Sequence, residues 1–369
     1  MPLRAVPNTQ EYTAEVRELN RRLAAGGVAP GYFLCESPAE PMPVRQETVS
    51  KNSYLIVDET GVHGGYLMQA QPFWVAGETR LVGNLQMPIS EGVVDKRYMP
   101  VGLYILRTVK REYPLGIGVG MGGGGSKQPL PEIQRSLGWR VHTVPFFFRV
   151  HRAGRFLREI RALRQPWWKR LAAQAAAGTG TGALAIGALH WAKSKRHAAL
   201  RAVPVPGVWP EWTDGIWLAA REEYSMIGVR DRRNLDWLHL ENDRRSVRFG
   251  LFDGSREIGW VVLLRTSMQG HAQFGDLTVG TLVDALTIPG YEGAAVEAAT
   301  KLLGELGADV FVTNQSHRTW VRSMADCGWL SGPSNYLMTT SPELTKLVPD
   351  IELDRVQLVR GDGDGRVNL

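Results

Sequence analysis

Residues 90–103 read Ser-Glu-Gly-Val-Val-Asp-Lys-Arg-Tyr-Met-Pro-Val-Gly-Leu. Two adjacent cations, Lys96 and Arg97, come shortly before Pro100. Proline suits the first position of a helix, where its missing N–H is not needed. The chemistry this spacing can do is anion binding. The first N–H groups of a helix lack internal partners and the dipole there is positive, while an Arg fork matches phosphate geometry. Glu91, a carboxylate beside the same loop, is the candidate general base. The plain alternative is an ordinary turn with solvated charges.

The neighbouring elements can position such a loop. Residues 81–87 form an apolar run that reads as a strand, and residues 103–110 read as the body of a helix. Upstream, residues 54–57 and 62–71 are strands around a turn at Asp58-Glu59-Thr60-Gly61. Before them, residues 8–25 carry one apolar helical face, with Asn8 or Thr9 as cap and Gly26-Gly27 as terminator. Residues 32–35 suggest a short strand. Downstream come a strand at 115–119, a Gly-rich loop at 122–125 and a short helix closing on Leu137-Gly138-Trp139. A final apolar strand is expected at 141–150. The loop at 122–125 reads as a connector, since no helix with a Lys/Ser pair follows at phosphate-loop spacing.

The second half repeats this order. Strands are expected at 247–252, 258–264 and 282–288, with the turn signal Asp253-Gly254 between the first two. A helix runs to 306 and a strand covers 309–313. A last helix covers 314–327 and ends in Cys327-Gly328-Trp329. An internal duplication of one α/β module explains the repeat better than chance.

Arg97-x-x-Pro100-x-Gly102 resembles the pyrophosphate loop of the GNAT acyltransferases, usually written (Q/R)xxGx(G/A). The strand order, the Asn314 after a fifth strand and the Gly-aromatic helix endings resemble that family too. The likeness covers about residues 50–150 and 245–340. It implies an α/β fold of two GNAT-like modules, each a mixed, mostly antiparallel sheet flanked by helices. It also implies N-acyl transfer from acetyl-CoA or another acyl-CoA to a small-molecule amine, an amino sugar or cell-surface precursor among the candidates. Ile89, Lys96, Arg97, Tyr98, Met99, Pro100, Val101 and Gly102 would bind the cofactor, with Glu91 catalytic. The sequence departs from the family at Pro100, which offers no N–H. In the second module Glu292 sits in the corresponding loop, Asp284 lies upstream and no Arg or Lys is present, so that copy reads as a degenerate partner. The chain is also similar to the Fem-type peptidyltransferases, paired modules that draw aminoacyl groups from tRNA. A non-catalytic scaffold is the third alternative.

A chain of 369 residues suits two domains rather than one. The expected division is 1–150, a basic insert 151–204, a second module 205–345 and a tail 346–369. The overall charge of +6 is uneven: residues 151–201 hold eleven Arg or Lys against the single acid Glu159, a net +10. An anionic membrane surface or tRNA is therefore a candidate partner for 151–201, beside a simple helical connector, and no DNA partner is expected. Residues 171–192 are uncharged but mostly Ala, Gly and Thr, a poor transmembrane composition. Two cysteines cannot build a disulfide framework, and no apolar leader opens the sequence. A cytoplasmic protein, peripheral to the inner face of the membrane if the insert binds lipid, is expected. Cys/His spacing gives no metal motif. His317 reads as solvated, and Trp209, Trp212 and Trp217 as core or module-interface residues.

Overall fold

The computed structural model describes residues 2–120, 129–160, 184, 187, 188, 190, 194–239, 245–271, 273–349 and 354–363. The loop at 122–125 and most of the basic insert fall outside these residues. In chain order the elements begin with β1 (Arg4–Pro7), α1 (Thr13–Ala25), β2 (Ser50–Asp58), β3 (Gly61–Val75) and β4 (Glu78–Ser90). There follow α2 (Pro100–Glu112), β5 (Gly116–Val119), α3 (Pro129–Ser136), β6 (Arg140–Thr143), β7 (Phe146–Val150) and α4 (Ala153–Glu159). The second half holds β8 (Arg201–Pro204), α5 (Trp212–Ala220), β9 (Met226–Gly228), α6 (Arg232–Leu238), β10 (Ser246–Asp253), β11 (Arg256–Ser267) and β12 (Thr278–Thr287). It closes with α7 (Glu292–Glu305), β13 (Val310–Asn314), α8 (Arg318–Asp326), β14 (Leu330–Gly332), β15 (Leu337–Thr340), α9 (Pro342–Leu347) and β16 (Val356–Gln357).

The chain forms two compact units, one of residues 1–142 and 337–350, the other of 143–336 and 351–369. In the first, the strands run in the order β1-β2-β3-β4-β5-β15-β6. Neighbours from β1 to β4 are antiparallel, β4 and β5 are parallel, and β15 is antiparallel to β5. In the second, the order is β8-β10-β11-β12-β13-β7-β14, with β12 and β13 the parallel pair. The two sheets are thus the same mixed design, flanked by helices.

The expected single strand over 141–150 is two strands. Pro145 offers no N–H and interrupts the ladder. Residues before it form β6 of the first sheet, and residues after it form β7 of the second, between β13 and β14. Residues 32–35 form no strand; a 3-10 turn, Pro30–Tyr32, ends on the first of them. Neither Asn8 nor Thr9 caps a helix through its side chain. The Asn8 amide instead donates to the Cys35 carbonyl at 3.1 Å.

The first core has two layers. α1 lays Val16, Leu19 and Leu23 on Leu55, Val57, Val62 and Ile89. On the other sheet face α2 lays Val101, Ile105, Leu106 and Val109 on Ile56, Tyr66, Met68 and Leu85. Alternate strand residues serve opposite faces, as the pleat requires. Trp209 and Trp217 are buried in the second unit, as expected for core residues. His317 is buried too, at 3 % exposure, against the ring of Tyr224, which corrects the expected solvated position. Burial pushes its imidazole down to about 4.

Candidate functional site

In each unit the fourth strand of the sheet parts from the fifth. β4 pairs with β5 only at Gly83 and Asn84, then runs on to Ser90. β12 pairs with β13 only from Val279 to Thr281, then runs on to Thr287. Beyond the paired stretch each strand pair opens into a wedge. A bulge accompanies the divergence, between Gly65 and Leu67 in the β3–β4 ladder and between Val262 and Leu263 in the β11–β12 ladder. Met87 lies within the first bulge at φ +45, a left-handed conformation uncommon for a residue with a side chain.

At the mouth of the first wedge the chain runs through two 3-10 turns, Glu91–Val93 and Lys96–Tyr98, into α2. The Ser90 hydroxyl accepts from the Gly92 N–H and the Asp95 carboxylate from the Arg97 N–H, so each turn carries its own cap. Lys96, Arg97, Met99 and Pro100 are exposed around the α2 terminus, with Tyr98 and Gly102 half-buried. Among the described residues a Cβ on Gly102 would meet nothing nearer than the Ser90 Cβ, at 4.0 Å, which leaves the backbone of the first helical turn clear of them. Ile89 and Val101 are core residues and can offer only backbone. The Arg97 guanidinium rests on Asp95 at 2.6 Å in an exposed ion pair, and this bond holds the Asp95 carboxyl below its usual range.

Glu91 is buried at 3 % exposure. Its Oε1 accepts from Arg22 Nε at 2.6 Å, and its Oε2 accepts from Arg22 Nη2 at 2.9 Å. The same Oε2 meets His63 Nδ1 at 2.7 Å. Burial works to raise this carboxyl, but the bonds from Arg22 and His63 outweigh it and hold the group below its ordinary value. On the far side of the imidazole, Nε2 meets Asp58 Oδ1 at 3.0 Å and Thr60 Oγ1 at 2.8 Å. The Tyr98 ring stacks on His63 with centroids 3.9 Å apart. Neither Arg22 nor His63 stood out in the sequence. One lies on a plain amphipathic helix, the other at the head of an apolar strand, and only the chain's return at Glu91 gives them a common partner.

The second unit answers this site differently. Gly64 faces Ser90 and lies under the Ile89 carbonyl, which a Cβ would approach to 2.5 Å. Gly259 faces Thr287 and lies under the Leu286 carbonyl in the same way. By this register Ile258 stands where His63 is, and Ile288 where Glu91 is; their backbones are hydrogen-bonded at 2.9 Å. The loop to α7 is short, and the Glu292 carboxylate accepts from the Gly290 N–H at 3.0 Å. The His197 ring lies against Gly293, over the same helix terminus. The wedge itself is occupied by the chain. Val359 bridges to Gln315, Gly361 lies beside Asp284, and Asp362 bonds the buried Arg230 at 2.5 Å. Arg230 also donates to Asp284 at 2.8 Å, and His239 Nε2 meets that carboxylate at 3.0 Å.

A surface hollow of the first unit, between residues 79–81 and 112–115, lies at the other end of β4 and has no part in this geometry. Among the described residues no helix is long and apolar enough to cross a membrane.

No family profile and no curated protein matches the sequence. Solved structures do. A probable N-acyltransferase from Enterococcus faecalis V583 aligns over 94% of this chain and 74% of its own, at 10% identity and a TM-score of 0.50. A GCN5-related N-acetyltransferase from Anabaena variabilis aligns over 92% and 72%, at 10% identity and 0.53. The N-myristoyltransferase of Saccharomyces cerevisiae, solved with bound myristoyl-CoA, aligns over 92% and 80%, at 11% identity and 0.53. All three are N-acyltransferases by description, and at such identities the likeness speaks for architecture: this chain has the GNAT fold.

Proposed function

We propose that the protein is an N-acyltransferase that takes its acyl group from an acyl-CoA bound at the first unit and passes it to an amine. One observation carries this reading. The wedge beyond Asn84 leads to a helix terminus with open backbone at Gly102, whereas the equivalent terminus in the second unit is taken by Glu292 and His197. Among the described residues of the first unit the β5-side edge of β4 has no strand neighbour after Asn84, so its backbone can pair with the amides of an extended ligand. The α2 terminus and Arg97, released from Asp95, would hold a diphosphate. Val93 and Met99, both 65% exposed, add apolar surface beside it. Backbone N–H groups of the wedge would polarise the thioester carbonyl. The neutral amine attacks that carbon, the C–S bond breaks, and the thiolate leaves.

We read Glu91 in a different role from the expected one. A base for an ammonium works best with a pKa near the working pH. Glu91 is held low and both its oxygens are engaged, so we assign it to positioning the loop, with the amine proton leaving through water.

Acetyl-CoA titrated calorimetrically into the full chain tests the reading. Arg97→Ala should weaken binding by roughly ten- to a hundredfold, the range of one charge-assisted bond, and Arg97→Lys should recover part of it. Gly102→Val should weaken binding with little loss of stability, because its surroundings are open. Lys110→Ala, on the same helix but far from its N-terminus, should change nothing. Equal affinity for wild type and Arg97→Ala removes the cofactor assignment.

A further inference from the structure

We propose that His63, donating from both ring nitrogens, is a latch that docks the 91–99 loop and so sets ligand affinity at the α2 terminus. This rests on the reading of that loop as the cofactor site. The protonation state follows from counting donors. Glu91, paired with Arg22, is ionised and can only accept, so the His63 Nδ1 at 2.7 Å must donate. Thr60 Oγ1 lies 2.6 Å from Asp58 Oδ1 and gives its one proton there. The His63 Nε2, 2.8 Å from that hydroxyl oxygen and 3.0 Å from the carboxylate, must then donate as well. Asp58 is itself held below the usual carboxylate range: burial opposes this, and the bonds from Thr60 and His63 outweigh it. A ring with two N–H groups is an imidazolium.

The latch reaches the loop along two routes. Glu91 is the first residue after β4, and Tyr98 is the last residue of the turn that enters α2. The ring of Tyr98 lies over the imidazolium at 12° to it, and the Arg97 guanidinium lies 5.7 Å from the same ring, so the phenol face meets two cations. The charged groups around His63 are Asp58 on β2, Glu91 and Asp95 in the loop, with Arg22 of α1 behind Glu91. Two carboxylates directly face the ring and Asp95 is close by. A side chain without these two donors leaves Glu91 and Asp58 without their bonds from the ring and weakens the hold on Tyr98.

Two measurements test this on the full-length protein. Ring 15N shifts of His63 in the folded protein, assigned by comparison with His63→Gln, should show both nitrogens protonated. Acetyl-CoA affinity should fall roughly tenfold in His63→Gln, a change of about 1.4 kcal/mol. Tyr98→Leu should weaken binding in the same direction. A single protonated nitrogen, or unchanged affinity in His63→Gln, overturns the latch. If wild type binds no acetyl-CoA, the cofactor reading fails, and the ring shifts alone decide whether His63 is the latch described.

Discussion

The two units hold one sheet design and have put it to different uses. Each brings an Arg, a carboxylate and a His together near the wedge of its fourth strand. In the first the set is Arg22, Glu91 and His63, placed at the wedge mouth beneath a long loop. In the second it is Arg230, Asp284 and His239, placed inside the wedge and completed by Asp362. The Arg22 side chain is 31% exposed and Arg230 is 1% exposed. The difference teaches that one charge motif can anchor a loop or fill a cleft, according to whether its carboxylate follows the strand, as Glu91 does, or lies within it, as Asp284 does.

Breaking the buried set should cost most. Removing one partner of a buried ion pair leaves an uncompensated charge, at about 3–5 kcal/mol. Arg230→Leu strands both Asp284 and Asp362 and should lose that much in urea unfolding. Arg22→Leu leaves Glu91 with His63 and, near the surface, with water; about 1–3 kcal/mol is expected. Equal losses would sink the contrast.

An effect smaller than that of Arg230→Leu comes from pH and belongs to the second unit. Burial pushes His317 down to about 4, so between about pH 6.5 and 4 the unfolded chain takes up a proton that the folded chain refuses. Stability is therefore lost as pH falls through that window, by on the order of 2–3 kcal/mol. His317→Phe should flatten this part of the acid limb of a melting curve. An unchanged limb would mean the imidazole is wetter than its surroundings imply.

Periodicity made the strands and the two long helices legible, because each buries one face and the apolar spacing follows. The loop at 90–102 was legible from Lys96, Arg97, Pro100 and Gly102, which are local signals. Three things were not. The placing of Phe146–Val150 and Leu337–Thr340 in their sheets depends on pairing between distant segments, and Pro145 alone marked the break. The partners of Glu91 come from α1 and β3, 69 and 28 residues away along the chain. The filling of the second wedge depends on residues 354–363, a polar stretch that reads as a tail until Asp362 meets Arg230.

The smallest expected effect is none at all, and it bears on the comparison most directly. If the second unit has given up its ligand, calorimetric titration should count one acetyl-CoA per chain. The Glu292 carboxylate already accepts from Gly290 at the α7 terminus, and burial, its largest influence, raises its pKa. Glu292→Gln removes that negative charge and leaves a side chain of nearly the same shape. A vacated site hidden only by the carboxylate would then appear as a second binding event. The wedge is also filled by residues 358–362, and the His197 ring covers Gly293. Those obstacles are steric, and neutralising one charge does not lift them. One site per chain in both proteins is the expected count. Two in Glu292→Gln alone would make electrostatics the whole barrier, and two in wild type would end the distinction between an open unit and a closed one.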